Sequence, residues 1–229
     1  MTVRWSSLLD RPEFALPPGQ LDSVIGGKTI LVTGAGGTVG RELVGLLLKG
    51  RPASLVLLDS HEASLARLIS DVESGDKSDT VLSFVLADVR DRKKVDATFR
   101  RYRCDIVFHL AAYKQVPLAE TNIDQVLDVN VLGTSNVFER AADHGVSTFT
   151  FPSTDKAVNP FGLYGASKRI VERYLTSFAG TGTGPTVRVA RLVNVFGSQG
   201  SVAEIFARQI ERGQPIGITD IQMDRYWIT

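Results

Sequence analysis

Tyr164 and Lys168, in the run Tyr164-Gly165-Ala166-Ser167-Lys168, are spaced so that a helix would put both on one face. An ammonium near a phenol lowers the phenol's pKa, so the pair reads as a tyrosinate base usable near neutral pH. A short way upstream, Ser153-Thr154-Asp155-Lys156 sets hydroxyls, a carboxyl and an amine side by side. A third stretch, Thr33-Gly34-Ala35-Gly36-Gly37-Thr38-Val39-Gly40, carries glycines at 34, 37 and 40. The first permits a tight turn, the second lets backbone approach a pyrophosphate, and the third lets a helix pack close to a strand. The helix opening at Thr38 adds free N–H groups and the positive end of its dipole. Asp59 follows Gly40 by about 20 residues, the interval expected of a carboxylate that accepts from adenosine ribose hydroxyls. Such a carboxylate repels a 2′-phosphate, which favours NAD over NADP. Asp88, in Ala87-Asp88-Val89-Arg90-Asp91, is placed either to meet the adenine or simply to cap a helix.

These groups need a frame, and the chain supplies a regular one. Apolar, β-branched runs at 28–33, 54–58, 81–86, 105–110, 147–151 and 186–192 read as strands. Helical spacing fills the intervals at about 38–49, 61–72, 91–101, 123–143 and 164–179, with a last helix near 202–212. Strands alternating with helices imply βαβ units, and right-handed crossovers favour a doubly wound parallel α/β sheet. Each chemical group then falls at the carboxyl edge of that sheet, where such folds bind ligands. Residues 1–27 read as a lead-in broken by Pro12, Pro17, Pro18 and Gly19.

Composition narrows the class further. The chain has 229 residues, of which 43% are hydrophobic, enough for a real core. With 26 Lys and Arg against 25 Asp and Glu, no charge excess points to nucleic acid or an anionic membrane. Apolar runs such as 54–58 are far shorter than the ~20 residues that span a bilayer. Residues 1–20 mix charges and prolines and do not read as a signal peptide. The single cysteine, Cys104, suits a reducing cytoplasm and makes a Cys/His metal site improbable. The expected localisation is cytoplasmic, with no metal.

Taken together, TGAGGTVG, Asp59, the Ser/Thr-rich end of the fifth strand and YGASK resemble an extended short-chain dehydrogenase/reductase. The resemblance is closer to the polysaccharide-biosynthesis group of UDP-N-acetylglucosamine 4,6-dehydratases. It is carried by HLAAYKQVPLAE (109–120), NVLGTSNV (130–137), STDKAVNP (153–160), LYGASKRIVE (163–172), RLVNVFGSQGSV (191–202) and MDRYWIT (223–229). The lead-in resembles the linker that precedes the catalytic domain in membrane-bound members.

The resemblance implies an NAD(P)-binding Rossmann domain over 28–193 and the start of a smaller substrate lobe over 194–229. It implies a dinucleotide held by Gly34, Gly37, Thr38, Val39, Gly40, Asp59, Asp88, Val89, Ala111 and Ala112, with Tyr164 and Lys168 at the nicotinamide ribose. It also implies that Thr154 bonds the sugar O4, that Tyr164 removes its proton, and that Asp155 and Lys156 are the acid and base of an elimination. Lys114 would face the substrate, Asn194 and Arg225 would hold the diphosphate, and Asn130 would be a buried structural residue. For Asp155 to donate a proton, its pKa must be raised; for Lys156 to accept one, its pKa must be lowered.

Departures from the group's pattern stand at Tyr164, where membrane-bound members commonly have Met, at Gln115, where many have His, and at Gln199, where many have Arg. The chain stops at Thr229, where members continue into the lobe that closes over the nucleotide. The function implied is NAD-dependent 4,6-dehydration of a UDP-N-acetylhexosamine by a homodimer or a multiple of it. A nucleotide-sugar 4-epimerase, which needs no acid–base pair, and a non-catalytic nucleotide-binding module are the alternatives.

Overall fold

A computed structural model describes residues 16–17, 19–75, 79–178, 182, 184–198, 200–218 and 220–228. The chain divides into two compact units, one over Pro17–Arg191 and one that includes Leu192–Thr229.

The first unit opens with α1 (Gln20–Ile25) and β1 (Thr29–Thr33), then α2 (Thr38–Lys49), β2 (Ser54–Asp59), α3 (Glu62–Glu73), β3 (Val81–Leu86), α4 (Arg92–Tyr102) and β4 (Ile106–His109). Short helices α5 (Val116–Thr121) and α6 (Ile123–Leu127) follow. A π turn (Asp128–Gly133) then leads into α7 (Thr134–Asp143), β5 (Thr148–Thr154), a 3₁₀ turn (Asp155–Ala157), α8 (Leu163–Ser177) and β6 (Thr186–Leu192). Among the described residues the six strands form one sheet in the order β3-β2-β1-β4-β5-β6. The pairings of β1 with β2 and β4, of β2 with β3, and of β4 with β5 are parallel. The strand order reverses between β1 and β4, which opens a crevice at their carboxyl ends.

The apolar runs are continuous because both sheet faces are covered. Alternation sends Leu31, Val56 and Val107 to a core shared with Phe99 of α4, Phe138 of α7 and Leu175 of α8. It sends Ile30, Val32, Leu55, Leu57 and Ile106 to the opposite face, against Val44 and Leu47 of α2 and Leu65 and Leu68 of α3. Phe138 meets Phe149 and Tyr174 edge-on, with centroids 5.2 and 5.9 Å apart, and so joins α7 to β5 and α8.

The sequence expectations for the six strands hold to within a few residues, and three further features were not anticipated. Helix α1 lies inside the stretch read as a lead-in and buries Ile25 in the second core. Helix α5 is six residues long, too short for a periodicity signal, with Pro117 tolerated in its first turn. The helix expected over 123–143 is interrupted by the π turn, where the buried Asn130 side chain is drawn to backbone outside the helix.

In the second unit, β7 (Asn194–Val195) pairs in parallel with β8 (Trp227–Ile228), and Phe196 packs edge-on against Trp227. Helix α9 (Val202–Glu211) is capped by Ser201, which accepts from the Glu204 N–H, while the Glu204 carboxylate reaches back to the Gly200 N–H just before the cap. Among the described residues no helix is long and apolar enough to cross a membrane.

Candidate functional site

The glycine loop leaves β1 at Thr33 and turns at Gly34, whose φ of +68° suits a residue without a side chain. A Cβ there would stand 2.7 Å from the Ala111 nitrogen, and one on Gly40 would stand 2.4 Å from the Gly34 carbonyl oxygen. The loop is therefore drawn against the end of β4 and against its own helix. Gly37 is the residue before α2 and brings no side chain to the helix start. The N–H groups of Ala35, Gly36 and Gly37 are taken by Leu58, Asp59 and Gly34, so a diphosphate laid there would meet the first backbone amides of α2. Val39 is partly exposed at the same end.

Asp59, at the tip of β2, accepts from the Gly36 N–H through Oδ2 and from the His61 N–H through Oδ1, each at 2.9 Å. The carboxylate thus ties the glycine loop to the neighbouring strand, and its remaining lone pairs stay available to ribose hydroxyls. Asp88 grips the Arg90 guanidinium, with Nη2 at 2.7 Å, and accepts from the Arg90 N–H at 2.8 Å. The bond to Arg90 holds the Asp88 carboxyl below its usual range against the opposing effect of burial. Asp88 is not the cap of α4: that role belongs to Asp91, which accepts from the Lys94 N–H at 3.0 Å. Val89 is buried against Gly133 in the π turn. Ala111 and Ala112 are half-buried just past β4, and Lys114 is exposed in the same loop.

The proton-transfer candidates meet where β5 ends. Thr154 is its last residue, 5% exposed, and its hydroxyl donates to Asp155 Oδ1 at 2.9 Å. Lys156 Nζ donates to the same oxygen at 3.0 Å. Tyr164, in the first turn of α8, shares a hydrogen bond with Thr154. Helix α8 comes this near because residue 165 is glycine: a Cβ there would lie 2.4 Å from the Lys156 carbonyl oxygen. The two segments singled out from sequence are therefore in contact through their backbones as well as their side chains.

Two electrostatic expectations are corrected. Lys168 does not lower the Tyr164 pKa. Its stem is buried along α8, its amine donates to the Pro152 carbonyl at 2.9 Å, and its charge lies 4.3 Å from the Phe151 ring centre. Burial pushes the Tyr164 phenol up, the bond to Thr154 partly opposes this, and the nearby Asp155 charge adds to the rise. Lys168 is itself brought down to about 7 by burial. Asp155 is not raised either. Burial pushes its carboxyl up, but hydrogen bonds from Lys156 and Thr154 and the Lys156 charge outweigh that and hold it below its usual range. The resting pair is a carboxylate beside an ammonium.

Sequence reasoning missed Glu120, whose Oε1 accepts from the Leu163 N–H at 2.7 Å and so caps α8 from another element. It also missed Glu172, buried one face along α8 and clasped by Arg191 of β6. Neither neighbour is close in sequence, so no local signal existed. Asn130 is buried, as expected, holding the Tyr113 backbone and Ser167. In the second unit, Asn194 donates to the Tyr226 carbonyl at 2.9 Å, and Arg225 is exposed with Nη1 on the Asp224 carbonyl. Gln199 lies outside the described residues, and Gln115 is exposed at the start of α5.

A doubly wound sheet, a glycine loop at its crossover and a Tyr/Lys helix beside the Ser/Thr strand end define an extended short-chain dehydrogenase/reductase. The chain belongs, within that class, to the family described as polysaccharide biosynthesis protein, which matches residues 30–229. It is 37% identical over 227 residues to the probable polysaccharide biosynthesis protein EpsC of Bacillus subtilis, covering 99% of this chain and 38% of that one. It is 33% identical to the UDP-N-acetylglucosamine 4,6-dehydratase (inverting) of Campylobacter jejuni, covering 89% of this chain and 60% of that one. Among solved structures, a UDP-glucose 4-epimerase from Thermus thermophilus in complex with NAD matches with a TM-score of 0.72 at 26% identity, over 87% of this chain and 70% of that one. The chain therefore spans 38% of the one curated relative and 60% of the other, less than two thirds of either.

Proposed function

We propose that this chain carries the NAD-binding and proton-transfer half of a nucleotide-sugar 4,6-dehydratase acting on a UDP-N-acetylhexosamine, UDP-N-acetylglucosamine first among them. The observation that carries this reading is the contact of Thr154, Asp155 and Lys156 with Tyr164 at one strand end. An epimerase needs the tyrosine and Lys168 but has no use for a carboxyl–amine pair. The similarity to the Campylobacter enzyme supports the same choice.

The glycine loop is closed so tightly that a Cβ at Gly34 or Gly40 would strike backbone, and it leaves the start of α2 without a side chain at Gly37, which fits a dinucleotide diphosphate. Asp59 favours NAD over NADP, because a 2′-phosphate would meet a carboxylate already committed to two backbone N–H groups. When bound, the nicotinamide supplies reversible hydride acceptance. Tyr164 takes the proton of the sugar O4 only once its own phenol has been deprotonated, a state that burial and the Asp155 charge oppose and the bond to Thr154 favours, with the Thr154 hydroxyl orienting that oxygen. Once C4 is a carbonyl, the C5 proton is acidic, and Lys156 removes it. Asp155 protonates the departing C6 hydroxyl. The resting Asp155–Lys156 pair holds the single proton these two steps need, but on the amine. Moving it across the 3.0 Å contact yields the neutral acid and neutral base together. Lys168 holds the nicotinamide ribose and Lys114 faces the sugar; in the second unit, Asn194 and Arg225 are assigned to the diphosphate, residues 194–229 beginning the substrate lobe. The assembly is a homodimer or a multiple of it, in the cytoplasm.

The test follows atoms. UDP-N-acetylglucosamine carrying deuterium at C4 should give a 4-keto-6-deoxy product with that deuterium at C6, and solvent deuterium at C5. Lys156→Ala should block elimination while allowing C4 oxidation, seen as NADH absorbance, whereas Tyr164→Phe should block both. Deuterium retained at C4 with the C6 oxygen kept would identify an epimerase. Dinucleotide binding with no sugar turnover would identify a binding module.

A further inference from the structure

The chemistry above leaves one fully buried polar ring unused, that of His109 at the end of β4. It sits against Phe149 and Phe151, with centroids 5.7 and 6.3 Å away. Its Nδ1 is 2.7 Å from the Thr33 hydroxyl and its Nε2 is 2.9 Å from the Thr134 hydroxyl. Which nitrogen holds the proton follows from the neighbours. Thr134 gives its only hydroxyl proton to the Asn130 carbonyl, 2.6 Å away and one turn back. Toward His109 it can only accept, so Nε2 is the donor. Burial, assisted by the Lys168 charge, lowers the imidazole pKa to about 3, and the ring is neutral. Nδ1 then offers a lone pair and Thr33 donates to it. Thr33 in turn accepts from the Ala111 N–H at 3.4 Å.

The bonds all point one way, from Ala111 through Thr33, His109 and Thr134 to Asn130. This run of bonds ends on the Asn130 backbone carbonyl; from the same residue the side-chain Nδ2 donates to Ser167 Oγ at 3.1 Å, and Ser167 donates to the Tyr164 carbonyl at 2.8 Å. Thr33 is the residue before the glycine loop, and Tyr164 is in the first turn of α8. A neutral imidazole is suited to this place, since it offers a donor and an acceptor on opposite sides of a rigid plane that aromatic neighbours can cover.

We propose that His109 is a positioning residue: locked as the Nε2–H tautomer, it sets the spacing between the glycine loop and the Asn130 turn, and through Ser167 it aligns the backbone that carries Tyr164. This rests on the reading of Tyr164 as the base. It makes dinucleotide seating and tyrosine alignment parts of one hydrogen-bonded relay rather than two independent sites.

The experiment uses ¹⁵N-histidine and ¹³Cζ-tyrosine labelling of the whole chain, with His109→Gln and Tyr164→Phe for assignment. His109 should be neutral, protonated on Nε2 and silent between about pH 5 and 9. Thr134→Val, nearly the same shape, removes the acceptor of Nε2–H. It should move the Tyr164 titration midpoint and the affinity for NAD⁺ together, each by about three- to tenfold, as for loss of one hydrogen bond. Val137→Ala, on the same helix and buried without polar contacts, should lower thermal stability and move neither. An Nδ1–H tautomer, a His109 titration in that range, or a Thr134→Val variant no different from Val137→Ala would overturn the proposal. If Thr134→Val does not fold, Thr33→Val tests the other end with the same expectation. Absence of NAD⁺ binding by the unaltered chain would defeat the cofactor reading instead, and the tautomer and the Tyr164 midpoint would still decide the role of His109.

Discussion

Glu172→Gln should cost the fold about 2 kcal/mol at pH 7 and progressively less in acid. Glu172 is on α8 with its side chain 7% exposed, and it accepts from Arg191 Nε at 2.9 Å and Arg191 Nη2 at 2.7 Å. Arg169 adds a contact at 3.2 Å. The Arg191 hydrogen bonds are the main cause that brings the carboxyl from 4.5 down to about 2. At ~1.4 kcal/mol per pH unit, that depression is worth about 3 kcal/mol. Arg191 is 45% exposed, so solvent screening reduces it to about 2 kcal/mol. A carboxyl depressed in the folded state stabilises fully above its unfolded pKa, and the contribution drains away as pH falls through 4.5 toward 2. Urea unfolding of the two proteins should therefore show a lower midpoint for the variant at pH 7 with an unchanged slope. By about pH 3 the difference should have fallen to less than half, other carboxylates cancelling between the two proteins. Arg191→Gln should cost more than Glu172→Gln, because it strands a buried carboxylate while the reverse change strands a half-exposed cation. An equal loss at both pH values would trace the effect to packing and refute the electrostatic account.

Lys168→Met should raise thermal stability by about 1–3 kcal/mol near pH 7 while abolishing sugar turnover, since a buried amine gives way to a matching apolar stem. Because Lys168 falls from 10.5 to about 7 on folding, the unfolded chain binds more protons between those values, and the variant's advantage should shrink as pH rises through that window. Gly34→Ala should lose at least about 1 kcal/mol of stability and tenfold or more in NAD⁺ affinity by calorimetry, since the left-handed φ and the Ala111 backbone both oppose a Cβ. Asp59→Asn should weaken NAD⁺ and narrow its advantage over NADP⁺, because the amide cannot accept both backbone N–H groups and no longer repels a phosphate; an unchanged ratio by calorimetry would remove Asp59 from cofactor choice.

The alternation of strands and helices, the glycine loop and the Tyr164/Lys168 spacing were legible in the chain because each is written in residues adjacent or one turn apart. Apolar runs mark the buried strands, the three-residue glycine spacing marks a loop closing on its helix, and a four-residue interval puts two side chains on one face. What folding decided lies in partners that the chain brings from a distance. The π turn exists where Asn130 finds Tyr113 and Ser167, and α8 is capped by Glu120 from across a loop. The direction of each pKa was also beyond local reading. Spacing placed Lys168 beside Tyr164, yet its ammonium reaches the Pro152 carbonyl and the Phe151 ring. Adjacency placed Asp155 beside Lys156 without saying whether burial or the ammonium would prevail, and the ammonium does. Shape follows from local pattern because burial and backbone geometry act over a few residues. Protonation follows from the whole surrounding field, which has no existence until the sheet has assembled.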